Sequence, residues 1–206
     1  MEGPRRLATA RGLESNDGTY YLPSKKIMRV QQYLRAMTHL LKQISPRRSV
    51  RSGVEVGVCR GDMASHLLGN FSKLHLVLVD MWELAPPEKH VKNQDGFDNF
   101  KQAMTAVAPF WPRWNCMKAM SLDAAAILKR TDVKFDFVFI DADHNRGAVK
   151  ADLNAWWPLV KSGGLFCGHD YHGKRGGVTR AVDSFAAGRK LVVTGYKGHV
   201  WSIWKP

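Results

Sequence analysis

Apolar residues recur along this chain with two alternating periods. From about Ser24 to Gln43, the residues Ile27, Val30, Tyr33, Leu34, Met37, Leu40 and Leu41 follow one another at three- and four-residue intervals. That spacing puts them on one face of an amphipathic helix, and Ser24 stands where an N-cap hydroxyl is wanted. Beyond Pro46 and a turn-rich stretch to Gly53 the pattern changes. Short continuous apolar runs at 54–58, 74–79, 114–119, 135–141 and 163–168 alternate with helical patterns near 62–69, 95–107, 121–129, 145–160 and 176–187. Two final β segments, 191–194 and 199–203, are joined by only Gly195-Tyr196-Lys197-Gly198.

Strands that are apolar throughout, separated by helices, are those of a parallel sheet covered on both faces. The pattern predicts a doubly wound α/β fold. A four-residue link cannot make a parallel crossover, so the last two segments are expected to form an antiparallel hairpin at the sheet edge. With 206 residues the chain builds one sizeable core. Residues 50–206 are read as that domain and 1–49 as an arm and helix on the substrate side, with residues 1–20 a loose arm. The longest apolar runs, LHLVLV and FDFVFI, fall far short of a membrane span. The N-terminus lacks a secretory h-region. The odd set Cys59, Cys116 and Cys167 has no metal-type spacing and reads as buried thiols of a reducing, cytoplasmic compartment.

Charge changes the picture in one respect. The formal net charge is +13, and residues 1–60 carry 12 Lys/Arg against 4 Asp/Glu. Such an excess attracts anionic partners or merely solvates a basic helix. No Arg-Gly repeat, zinc-finger spacing or aromatic RNA-binding strand accompanies it.

The candidate chemistry lies at the ends of the expected strands. In Val54-Glu55-Val56-Gly57-Val58-Cys59-Arg60-Gly61-Asp62, a strand runs into a turn bearing Gly57 and Gly61, where backbone can approach a ligand closely. The third glycine of a dinucleotide fingerprint is missing, and Glu55 would repel a pyrophosphate. A cationic sulfonium cofactor suits that charge better. Asp80 ends the second strand 23 residues after Gly57, the position from which a carboxylate can hold the hydroxyls of an adenosine ribose. The fourth strand delivers Asp141, Asp143 and His144 to the same end of the sheet, and the fifth delivers His169, Asp170 and His172.

These segments carry a family resemblance. VEVGVCRGD, LVLVDMW, FDFVFIDADHNRGAVKADLNAWWPLVKSGGLFCGHDY and GGVTRAVDSFA with a closing VWSIWKP resemble the class I S-adenosylmethionine-dependent methyltransferases. More specifically, they resemble the small O-methyltransferase-like families related to catechol-type and antibiotic-sugar O-methyltransferases. The resemblance implies a seven-stranded sheet of order 3-2-1-4-5-7-6 with an antiparallel last strand. It matches Glu55, Gly57 and Gly61 to the methionine-side loop of the cofactor site, Asp80 to the ribose and Ser121 to the adenine end, and Asp141 is a further candidate for binding the cofactor. Trp82 is read either as enclosing the nucleoside or as simply packed.

A metal is a second expectation. Hard divalent cations such as magnesium or manganese favour carboxylates, and in related metal-dependent enzymes Asp141 and Asp170 align with metal ligands. The third ligand departs from the family pattern: His169 stands where those relatives have an oxygen donor, which shifts preference toward transition ions. The alternative leaves Asp141 to hold the cofactor's ammonium and Asp170 to fix the loop before Gly173. A hydroxyl acceptor needs its proton removed, and His144 and Asp143 are the competing bases. Three functions remain open: O-methylation of a small-molecule hydroxyl with residues 1–49 and 83–98 as a lid, which is favoured; RNA methylation using the basic N-terminal region; and a silent cofactor-binding module. For RNA ribose methylation only Lys26 and Asp141 match the expected tetrad, and no suitable Glu follows.

Overall fold

A computed structural model of the chain describes residues 13–14, 20–21, 25–44, 49–82, 96–173 and 176–206. The expected Ser24 cap, the turn at Pro46 and the 83–98 segment before Gly96 lie outside these residues. Seven strands form the main sheet: β1 (Ser52–Val56), β2 (His75–Asp80), β3 (Trp114–Lys118), β4 (Phe135–Ile140), β5 (Val160–Gly168), β6 (Thr194–Tyr196) and β7 (Val200–Trp204). Their order is 3-2-1-4-5-7-6. The first five run parallel, while β7 is antiparallel to both β5 and β6. Both the doubly wound sheet and its closing hairpin are as the sequence predicts.

Among the described residues six α-helices cover the sheet: α1 (Lys25–Gln43), α2 (Asp62–Asn70), α3 (Gly96–Val107), α4 (Ser121–Arg130), α5 (Arg146–Trp156) and α6 (Gly177–Ala187). Side chains alternate across each strand, so β4 sends Phe137 and Phe139 into one apolar cluster and Val138 and Ile140 into the other. The first cluster includes Met37, Leu40 and Leu41 of α1 together with α2 residues, and the second lies under α5 and α6. Half of α1 therefore belongs to the same core as residues 50–206.

Several boundaries depart from expectation, each for a physical reason. The helix predicted to reach residue 160 ends at Trp156 in a 3-10 turn, Trp157–Leu159, where Pro158 supplies no N–H donor. Strand β5 accordingly begins at Val160 and not at 163. The sixth strand starts at Thr194 rather than 191, because the Leu191 amide still donates to Ala186 O at the end of α6. His199, expected in a strand, sits in the hairpin turn with φ 60. Residues 13–14 pair antiparallel with 20–21, against the expectation of a structureless arm. None of the three cysteines forms a disulfide, and only Cys167 is buried; Cys59 is exposed and Cys116 half-buried. Among the described residues no helix is long and apolar enough to cross a membrane.

Candidate active site

Glu55 follows from the same alternation that builds the core. Its neighbours Val54 and Val56 pack toward α5 and α6, so its side chain turns to the α1 face, only 1% exposed. Among the described residues its Oε2 has no hydrogen-bond partner. Burial, and then the charges of Asp141, Asp80 and Asp62, push its carboxyl well above the usual carboxylate range. An acid whose ionised form is disfavoured by burial and by neighbouring acids is poised to accept a cation.

It lines a cavity of about 590 Å³ at the C-terminal end of the sheet. Gly57, Arg60, Asp62, Asp141, His169 and Asp170 line it too, with Val30 and Tyr33 from α1 and His172 and His199 at the mouth. This is the crevice that a doubly wound sheet reserves for ligands, and its volume is that of a small-molecule site. The ladder continues one residue past the strands and fixes their ends: Asp141 N–H donates to Val56 O at 2.7 Å, and Gly57 N–H to Val79 O at 2.8 Å.

The two glycines are required, though by protein neighbours. Gly57 has φ 88, and a Cβ there would collide with the Asp141–Ala142 backbone. Gly61 has φ 80, with Ala103 of α3 packed against it. Asp80 organises the loop between them. Its Oδ2 accepts N–H bonds from Val58 (2.7 Å) and Cys59 (2.8 Å), while Oδ1 accepts the Trp82 N–H at 2.9 Å. Trp82 itself is 4% exposed and donates its indole N–H to Cys59 O at 2.8 Å, so it is packed. Ser121 lies away from the cavity lining; its hydroxyl bonds Asp152 at 2.5 Å and accepts the Trp156 indole N–H at 2.9 Å.

The rim is a cluster of carboxylates and imidazoles. His144 Nε2 is 2.9 Å from Asp170 Oδ2 and 3.8 Å from Asp141 Oδ1. His169 Nδ1 is 3.6 Å from Asp141 Oδ1 and 3.5 Å from Asp170 Oδ1. Hydrogen bonds to Asp141 and Asp170 raise His144 to about 10. Burial works against protonating His169, yet the same two carboxylates carry it up to about 9. Asp170 is held well below the carboxylate range by hydrogen bonds from both histidines. Asp141 feels burial most, which raises it, but the bonds from His144 and His169 leave it lowered. Both imidazoles thus carry protons at neutral pH in this arrangement. Asp143, the other expected base, is exposed and turned away, its Oδ1 accepting from the Asn145 backbone and side chain at 2.8 and 2.7 Å.

The sequence reading missed Tyr33. Its hydroxyl donates to Asp141 Oδ2 at 3.4 Å and its ring meets His169 edge-on at 4.6 Å. In sequence it is one more member of an apolar helix face. It also missed His199, whose ring lies 4.8 Å from that of His172. The adjacent Gly198, with φ 81, brings the hairpin turn against the α1 backbone at Tyr33, and this pairing of distant segments leaves no local signal.

A family profile described as a methyltransferase domain matches residues 54–171, more than half of the chain. The chain belongs to this methyltransferase family. The expected identification as a class I S-adenosylmethionine-dependent methyltransferase therefore holds at the level of family and fold. No curated protein sequence matches it. Among solved structures it is similar to CalS11, a TDP-rhamnose 3′-O-methyltransferase of calicheamicin biosynthesis. The two share 13% identity and a TM-score of 0.61, over 84% of this chain and 79% of that one. It is also similar to an O-methyltransferase from Bacillus cereus in complex with SAH, at 16% identity and TM-score 0.57 over 89% and 93% of the two chains. A candidate rRNA methylase from Clostridium thermocellum gives 14% identity and TM-score 0.60 over 84% and 97%. At these identities the likeness speaks for the methyltransferase fold.

Proposed function

We propose that this chain transfers a methyl group from S-adenosylmethionine to a hydroxyl of a small molecule, such as a sugar or a phenol. The observation that carries the reading is the Oε2 of Glu55, buried in the lining of the crevice with Asp141 and without a hydrogen-bond partner among the described residues. A cationic methionine end satisfies it; a pyrophosphate does not.

The cofactor supplies a methyl group on a sulfonium sulfur, and the protein has to bind, orient and deprotonate. Glu55, Gly57 and Asp141 hold the methionine end. Asp80 takes the ribose through Oδ1, which accepts the Trp82 N–H and keeps lone-pair capacity for a hydroxyl. Ser121 acts at the adenine end through the position of α4, since its hydroxyl is committed to Asp152 and Trp156. The acceptor enters at the mouth, where Tyr33 and the Asp141–His144–Asp170 cluster face it, and this cluster handles the proton its hydroxyl releases. As methyl carbon bonds to acceptor oxygen, the sulfur–methyl bond breaks and S-adenosylhomocysteine leaves. The imidazoles of His144 and His169 beside the two carboxylates make a mixed donor set, which favours a transition ion over magnesium.

The second reading, an RNA acceptor, is favoured by the +13 charge. One experiment separates the readings. S-adenosylmethionine is titrated calorimetrically, and mass spectrometry then follows methyl transfer to a panel of sugars, phenols and RNA over a salt series. Micromolar cofactor binding with salt-insensitive transfer to a small hydroxyl is expected. Transfer to RNA that falls steeply with salt supports the second reading, and no cofactor binding overturns both.

A further inference from the structure

We propose that the end of the sheet opposite the cavity is a docking surface for a lipid bilayer that carries anionic headgroups. Topology assigns residues to that end. The cavity lies past the C-terminal ends of the parallel strands. The segments that lead into those strands, and the C-termini of the helices between them, therefore gather at the other end, roughly 20 Å away along a six-residue strand. Because β7 is antiparallel to both β5 and β6, the start of β6 lies there as well.

Exposed apolar side chains and exposed cations meet at this end. Trp111, Val133 and Val192 stand in the segments before β3, β4 and β6, and are 69%, 42% and 77% exposed. Val192 and Trp111 are the two most exposed large hydrophobic residues among those described. Elsewhere such exposure has a use: Val30 lines the cavity, and Met120 and Leu122 flank the start of α4 at the cavity's end of the sheet. Arg51, Lys73 and Lys134 lead into β1, β2 and β4, while Lys129 and Arg130 end α4 and Lys190 follows α6; all six are exposed. Among the described residues the exposed acid that answers them here is Asp132, 3.8 Å from Lys134.

The fold accounts for only part of this charge. The Arg113 guanidinium donates to the Leu68, Phe71 and Leu74 carbonyls, and Lys161 pairs with the buried Asp136. Cations at helix C-termini also complement the helix dipole, which covers Lys129, Arg130 and Lys190. Neither reason applies to Arg51, Lys73 and Lys134 at strand starts, or to three apolar side chains left in water.

An anionic bilayer satisfies both groups. Its surface potential attracts Lys and Arg, and its interface takes in tryptophan rings and aliphatic tips. A nucleic acid rewards the cations and can stack on Trp111, but offers nothing to the valines. The spread also fits a flat partner. Trp111 and Val192 belong to the two outermost strands of the order 3-2-1-4-5-7-6, six interstrand steps of about 4.8 Å apart, or about 29 Å along the sheet.

The test sediments the full chain with vesicles of phosphatidylcholine, with and without phosphatidylserine as about a third of the lipid, at low and high salt; a single-stranded RNA is titrated in parallel. Binding to the phosphatidylserine vesicles alone is expected, at least tenfold weaker at high salt. Lys73→Glu combined with Lys134→Glu should weaken it at least tenfold, and Trp111→Gln and Val192→Asp about threefold each. Melting curves check that the variants are folded; Val192, the most exposed of these sites, tests the apolar contribution even if Trp111→Gln loosens the packing on Trp114. Equal binding without phosphatidylserine, or binding that survives the paired Lys→Glu change, overturns the proposal. So does binding indifferent to both Trp111→Gln and Val192→Asp, which would be adsorption by charge alone. Capture of the RNA more tightly than of the vesicles would also overturn it and make this face a nucleic-acid surface.

Discussion

Strand β4 carries an aspartate at each end of its run, and the two meet opposite treatment. Asp136, at the N-terminal end, is 2% exposed. Its Oδ1 pairs with Lys161 Nζ at 2.8 Å, and its Oδ2 accepts the Arg51 and Ser52 N–H groups at 2.8 and 3.0 Å. Burial by itself would raise its carboxyl, but Lys161 and the backbone donors hold it below the usual range. Asp141, just past the C-terminal end, has a side chain 22% exposed whose neighbours stand at 3.4 to 3.8 Å. One end of the strand spends its carboxylate on closing the fold. The other keeps capacity facing a cavity, which is how a ligand-facing charge differs from a structural one.

The sharpest way to break the comparison is to remove the closed partner. Asp136→Ala removes the carboxylate that pairs with the Lys161 ammonium and accepts the Arg51 and Ser52 N–H groups, and should cost about 3 kcal/mol. For a chain of this size that is a fall in melting temperature on the order of 10 °C, with cofactor affinity per folded molecule unchanged. Asp141→Asn should do the converse, with a small change in melting and a clear loss of cofactor affinity by calorimetry. Equal destabilisation by both would erase the distinction.

A third aspartate, Asp152, extends the scale, for it is buried with Ser121 as its hydrogen-bond donor. Burial raises it to about 6 despite that bond. The sign follows from linkage. Its folded value lies above the unfolded one, so ionisation disfavours the fold; stability from this group is highest below pH 4 and declines as pH rises to about 6. The expected loss is about 3 kcal/mol. Asp152→Asn, whose oxygen still accepts from Ser121, should abolish that slope in urea melts taken from pH 4 to 7, and should be the more stable protein at pH 7. An unchanged slope would place the titration elsewhere.

The contrast also explains what the sequence could tell. Continuous apolar runs and the short Gly195–Gly198 link sufficed for a parallel sheet covered on both faces and for the terminal hairpin, while the strand order followed from the family resemblance. Glu55 stood out as an acid in an otherwise apolar strand. Asp143 and His144 could not be told apart, since the Asx turn that takes Asp143 away from the cavity depends on φ and ψ and on Asn145. Tyr33 was illegible for another reason: a helix face that packs on the core and one that borders a site have the same period, and only the position of Gly198 against α1 decides where Tyr33 falls.

Smaller effects are expected at Glu55. Because burial, and then its acidic neighbours, push the Glu55 carboxyl up when no cation is bound, Glu55→Gln removes a charge the fold disfavours and should leave melting unchanged or slightly raised. Cofactor affinity should nonetheless fall about tenfold, or 1.4 kcal/mol, since Gln cannot become an anion beside the ammonium or sulfonium. A variant that melts lower while binding normally would make Glu55 a structural acid like Asp136.

The smallest change sharpens the comparison most finely. The Tyr33 hydroxyl reaches Asp141 at 3.4 Å, near the limit of a hydrogen bond, while the ring rests on His169 and Phe139. Tyr33→Phe keeps the ring and removes a weak bond, so it should cost no more than about 0.5 kcal/mol in stability. Tyr33→Ala empties the packing under α1 and should cost about 3 kcal/mol or more. If Phe alone proves as damaging as Ala, then Asp141 depends on that hydroxyl as Asp136 depends on Lys161, and the open end of the strand is more tightly closed than its distances indicate.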